Sequence, residues 1–104
     1  AKLRGDMSTD LVLFLAEAAT RTGDFSSALS LLQEELRKSR DDDHIWNALG
    51  NVYVLMGNFS AAILCYEYAL RINPGNIEAV SNLQTALIKK LSPKENKKLI
   101  EVSP

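Results

Sequence analysis

Two side chains in this sequence carry chemistry that enzymes and metal sites use most, a single histidine, His44, and a single cysteine, Cys65. His44 follows Asp41, Asp42 and Asp43, which sets an imidazole beside carboxylates at the start of a helix. Hydrolysis also needs a nucleophile in register with its base, and neither a serine nor Cys65 stands in matching register. One cysteine excludes an internal disulfide and leaves no tetrahedral set of metal ligands. It favours a reducing, intracellular setting, with the cytoplasm as the expected location. Glycine-rich phosphate loops follow strands, and no strand is predicted. The expectation is a chain with no catalytic residue, no cofactor and no metal.

Three short strings read better as local structure than as sites. Arg4-Gly5-Asp6 matches an integrin-binding tripeptide, a match too short to carry weight in an intracellular chain. Asn58-Phe59-Ser60 fits a glycosylation pattern, but Asp24 fills the equivalent place one repeat earlier without making one, so Asn58 is read as a helix cap. Cys65 is read as a small packing residue. The formal net charge of −1 supplies no field for nucleic acid or an anionic membrane. The longest apolar stretch, Leu11 to Ala19, is too short to span a bilayer and is broken by Glu17. Lys89, Lys90, Lys94, Lys97 and Lys98 form the one basic concentration. A solvated capping face explains it most simply, and docking to an acidic partner or membrane surface is the alternative.

What positions these residues is a repeat. A shift of 34 residues places Leu15 on Leu49, Gly23 on Gly57, Phe25 on Phe59, Ser26 on Ser60, Ala28 on Ala62, Leu36 on Leu70 and Arg37 on Arg71, with no gap. Within each block, two amphipathic helical patterns flank a glycine-centred break. In the middle block one stripe is Ile45, Trp46, Leu49, Val52, Tyr53 and Met56, and the other is Phe59, Ala62, Ile63, Tyr66, Ala69 and Leu70. Gly57 ends a helix and Asn58 caps the next; Gly23 with Asp24 repeats the device, and Asn76 caps a helix after Pro74-Gly75. Six helices follow, at about 9–22, 25–39, 43–56, 59–72, 77–90 and 93–101. For the last, Ser92 is the cap, Pro93 the first helical residue and Glu95 the partner in a capping box. Short connections make neighbouring helices antiparallel.

The stretch Trp46, Leu49, Gly50, Tyr53, Ala62, Tyr66, Ala69 and Pro74 resembles the tetratricopeptide repeat signature, spacing included. The first block departs from it at Val12, Ala16, Ala19, Glu35 and Arg40; the third keeps Leu83 and then turns polar at Asn96 and Lys97. The resemblance implies an all-α fold: antiparallel helix-turn-helix pairs stacked as a right-handed superhelix of about three repeats. The expected domain runs over 9–101, with repeats at about 9–42, 43–76 and 77–101, the last ending in a capping helix. Residues 1–8 are expected to be a flank continuing from a preceding segment, since the chain opens at Ala1 without methionine, and 102–104 a tail.

The resemblance also places binding on the first helix of each pair, along the concave face. There His44, Asn47, Asn51 and Val54 share one face of the middle helix, Ser81, Asn82 and Thr85 stand in the third block, and Leu13 and Glu17 in the first. Repeats that hold the acidic tails of heat-shock chaperones use lysine, arginine and asparagine. Here the corresponding places carry Leu13, Glu17, Ala48, Glu78 and Asn82, which would repel a carboxylate. The asparagine ladder in the repeats of the O-linked N-acetylglucosamine transferase is nearer, with Asn47, Asn51 and Asn82 offering amides to an extended main chain. The expected partner is a protein or peptide segment, and the expected role a non-catalytic scaffold or adaptor in a larger assembly. The alternative is a targeting domain of a larger enzyme such as a glycosyltransferase or phosphatase; a co-chaperone is disfavoured by the missing clamp. The run from Leu11 to Leu15 holds more apolar residues than one face can bury. Leu13 and Phe14 are therefore expected at a hydrophobic end contact, through a preceding repeat, another molecule or self-association.

Overall fold

Glycine sets the chain reversals. Gly23 and Gly57, one repeat apart, have φ of 86° and 84°, the left-handed region that a side chain disfavours. At the first reversal the Gly23 N–H donates to the Thr20 carbonyl and the Asp24 N–H to that of Ala19, at 3.1 and 2.8 Å. Gly57 and Asn58 repeat this on Val54 and Tyr53, at 3.0 and 2.9 Å. Both reversals thus satisfy carbonyls that a helix end leaves open.

In the computed structural model, which describes the backbone of residues 6–102 and the side chains of residues 9–91, these reversals separate antiparallel helices. They are α1 (Asp6–Arg21), α2 (Phe25–Lys38), α3 (Asp43–Met56), α4 (Phe59–Ile72) and α5 (Ile77–Val102), and no strand is present among the described residues. The expected caps are in place. Asp24, Asn58 and Asn76 accept from the N–H groups of Ser27, Ala61 and Ala79, at 3.3, 3.2 and 3.0 Å. Asp42 caps α3 through the His44 N–H at 2.9 Å. Each such cap is worth about 1 kcal/mol. The flank at 1–5 and the tail at 103–104 lie outside the described residues, with Arg4 and Gly5, as do the side chains of Lys94, Lys97 and Lys98.

One expectation is corrected. The two helices read at 77–90 and 93–101 are a single helix, α5, so five helices stand where six were expected. Position 91 lies one repeat after Gly57 and holds Leu91. A leucine takes the left-handed conformation only at a cost of about 1–2 kcal/mol, so nothing reverses the chain there. Ser92, Pro93 and Glu95 lie within α5, so no helix begins there. At the other end α1 begins at Asp6, ahead of the expected Thr9.

Each helix packs on its neighbour in sequence, and α3 also packs on α1 and α5. This is the stacking of a repeat array, in which first helices of successive pairs line one side. The core runs through the stack: Ala16, Ala28, Leu32, Ile45, Leu49, Val52 and Cys65 form one cluster, and Ala62, Tyr66 and Ala86 a second. Burying each large aliphatic side chain contributes about 1.5–3 kcal/mol. Small residues permit the close approaches. A Cβ added at Gly50 would overlap the Tyr66 ring, so α3 and α4 meet there only because position 50 has no side chain.

The repeats are also tied by polar side chains. Asp43 is buried, and its Oδ2 accepts from the amides of Asn73 and Asn76 at 3.1 and 2.7 Å. That joins the start of α3 to the turn between α4 and α5. One repeat earlier the equivalent residue is Thr9, whose hydroxyl donates to the buried Glu35 carboxylate at 2.8 Å. Glu35 occupies the place of Ala69 in the middle repeat, and Thr9 is its compensation.

Candidate functional site

A groove of about 630 Å³ opens between α1 and α3 and reaches α5 at one edge. Leu13 and Glu17 come to it from α1, His44, Asn47 and Asn51 from α3, and Glu78 from the first turn of α5. Ala48 is the accessible part of its apolar floor, over the buried Ala16, Leu32 and Val52, and Leu55, 59% exposed, forms a wall. Five of the expected concave-face residues, Leu13, Glu17, His44, Asn47 and Asn51, are thus gathered in one depression.

The other four are not. Val54 is half-buried against the cluster of Ala62, Tyr66 and Ala86. It lies about 100° round the helix from Leu55, on the side toward α5. Leu55 was missed by the sequence reading, although it follows Asn47 and Asn51 at successive steps of four. Ser81 and Thr85 are exposed on α5 outside the groove, and Asn82 is half-buried there. The α1 pair divides: Leu13 packs inward against the core, and Phe14 is 65% exposed on the outer side.

The amides are largely committed within the molecule. Asn47 is 5% exposed; its Oδ1 accepts from Asn82 at 3.1 Å, and its Nδ2 faces Glu78 Oε1 at 3.5 Å. Asn51 Oδ1 accepts from the Tyr66 hydroxyl at 2.6 Å, which leaves its Nδ2 toward the groove. Asn47 therefore fastens α3 to α5, and of the two amides Asn51 is the one with a donor left over. Sequence spacing placed these residues on one face, but partners 31 and 35 residues away gave no local signal.

The rim is acidic. Asp10 and Glu78 are exposed carboxylates, and Glu17 is held by Arg21 at 2.8 Å, an exposed pair worth little to stability. Past His44 a second depression lies over the loop between α2 and α3, where Lys38 and Arg40 stand with Asp41 and Asp42 and the charge is mixed. The groove offers apolar contact and negative charge, with no nucleophile–base pair among the residues that line it. Among the described residues no three His, Cys, Asp or Glu side chains are grouped to hold a metal ion. Burial pushes the Cys65 thiol up to about 11 and raises Tyr66 as well, by desolvation first and the nearby Cys65 second. Cys65 is a packed thiol at neutral pH, as its position on the inner stripe of α4 implies.

On the far side of α3 an aromatic stack borders a further depression of about 410 Å³. Trp46 lies on Tyr68 with centroids 4.5 Å apart and planes at 10°, and its Nε1 donates to the Arg40 carbonyl at 3.1 Å. The Arg71 guanidinium sits 5.3 Å from the Tyr68 ring centre.

Profiles described as tetratricopeptide repeat match residues 45–76 and 11–44, the two helix pairs whose geometry has just been given. The chain belongs to the tetratricopeptide repeat family. The chloroplastic tetratricopeptide repeat domain-containing protein PYG7 of Arabidopsis thaliana is 31% identical over 90 residues, which is 83% of this chain and 30% of that protein. Human tetratricopeptide repeat protein 17 is 36% identical over 39 residues, 38% of this chain and 3% of that protein; the rat protein matches to the same extent. The chain thus spans less than a third of the length of these relatives. Tetratricopeptide repeats generally mediate protein–protein interaction, and the first helices of their pairs here are α1, α3 and α5, which line the groove. No helix among the described residues is long and apolar enough to cross a membrane.

Proposed function

We propose that this tetratricopeptide domain is a non-catalytic interaction module that seats a protein segment in the groove between α1 and α3. It serves as a scaffold or adaptor inside a larger intracellular assembly. The observation that carries the reading is the combination of an apolar floor with an exposed apolar wall, Leu55, inside a depression framed by polar side chains. Such concavities collect binding energy from a few apolar anchors, while polar groups at the edge fix orientation.

The test begins with proximity cross-linking from position 51 to define the captured segment, followed by titration of that segment as a peptide. Leu55→Gln should weaken binding by about tenfold, the loss expected of an interface anchor. Circular dichroism should stay unchanged, because Leu55 contributes nothing to the buried core. Binding that survives Leu55→Gln, or capture from position 68 but not from position 51, would move the site elsewhere.

A further inference from the structure

The groove's polar groups are mostly spent and its charges are not. Asn47 has both ends of its amide engaged, and Asn51 retains one donor. An extended ligand must hydrogen-bond its main chain to the groove, whereas a helix satisfies its own. Asp10 and Glu78 stand on opposite rims with no cation within ion-pair distance among the described residues. Arg21 is the lining cation, and Glu17 neutralises it.

We infer that the segment taken by the groove is a cationic amphipathic helix, with an apolar row set on Leu13, Ala48 and Leu55 and lysines or arginines flanking it toward Asp10 and Glu78. The inference rests on the reading that the groove seats a protein segment, and it names the chemistry of that segment. The apolar row supplies the binding energy. Charge complementarity selects against acidic helices, whose carboxylates would meet Asp10 and Glu78 at short range in a partly desolvated rim.

The test uses two synthetic peptides of four helical turns, each with leucine at alternating steps of three and four. The remaining positions are lysine in one and glutamate in the other, and a third peptide is the lysine form with two central prolines. The lysine peptide should bind the wild-type domain about tenfold more tightly than the glutamate peptide at low salt, with the gap closing as salt rises from about 20 to about 500 mM. Asp10→Asn with Glu78→Gln should cost the lysine peptide about fivefold. Glu34→Gln with Glu67→Gln, equal in charge change but outside the groove, should cost less than about twofold. The proline peptide should bind about tenfold more weakly.

Equal or tighter binding of the glutamate peptide overturns the inference, as does equal sensitivity to the two charge-neutralised pairs. Equal binding of the proline peptide removes the helix. If both charged peptides bind alike and Leu55→Gln weakens both, the groove reading stands and the charge preference falls. If neither binds, the inference falls, and the groove reading is decided by the cross-linking from position 51 and by Leu55→Gln.

Discussion

At the scale of single residues, the fold depends on positions where a side chain is absent or already committed. An alanine Cβ at position 50 would lie 2.7 Å from Cδ1 and Cζ of Tyr66. The ring has nowhere to go: Tyr66 is 1% exposed and its hydroxyl is bonded to Asn51. Alanine favours a helix over glycine by about 0.8–1 kcal/mol, whereas overpacking a core costs about 1–3 kcal/mol. Overpacking wins. Gly50→Ala should lower stability by roughly 1–2 kcal/mol, a fall of about 5–10 °C in Tm by circular dichroism. An unchanged or raised Tm would mean the Tyr66 ring has room to retreat. The same tyrosine occupies the Oδ1 of Asn51, so the amide's Nδ2 is the end left over.

At the scale of elements, Asp43 holds the middle repeat to the turn that follows it. Asp43→Ala would leave the amides of Asn73 and Asn76 without their carboxylate, and Asn76 is buried. The expected loss is about 1–3 kcal/mol, the cost of stranding buried donors, read as a lower urea midpoint at unchanged slope. A loss below about 0.5 kcal/mol would show that water replaces the carboxylate at no cost. Of the elements, α3 and α4 could be read from the sequence with the bounds they have in the structure, because Gly57, Asn58 and Asn76 signal their ends through contacts a few residues long. The true course of α5 was also written there, in the leucine that replaces glycine at position 91. The capping residues around Pro93 drew the eye instead, although a cap does nothing unless the chain first reverses. In the groove, helical spacing set His44, Asn47 and Asn51 on one face of α3, and the family resemblance set Leu13 and Glu17 of α1 beside them. Neither could show that Asn47 was already used, because Asn82 and Glu78 reach it only through tertiary packing.

At the scale of the whole molecule, the stack leaves an apolar row at its α1 end. Leu11 and Leu15 are exposed, yet Ile45 and Leu49, their equivalents one repeat later, are buried at 0% and 3%. What covers the later pair is the repeat before it. With Phe14 beside them, Leu11 and Leu15 form a surface of the kind that proteins cover by association. This 104-residue chain should therefore self-associate, with apparent mass rising across a concentration series in light scattering, and Phe14→Glu should return it to a monomer. A strict monomer at every concentration would remove that expectation. Within the monomer, α3 alone touches all four other helices. The polypeptide is therefore bound like pages to a spine, and it has an order in which it comes apart. The α1–α2 pair and α5 can each peel away without the other, and the α3–α4 hairpin is the last to let go. Damage at one end is not transmitted to the other unless it passes through α3.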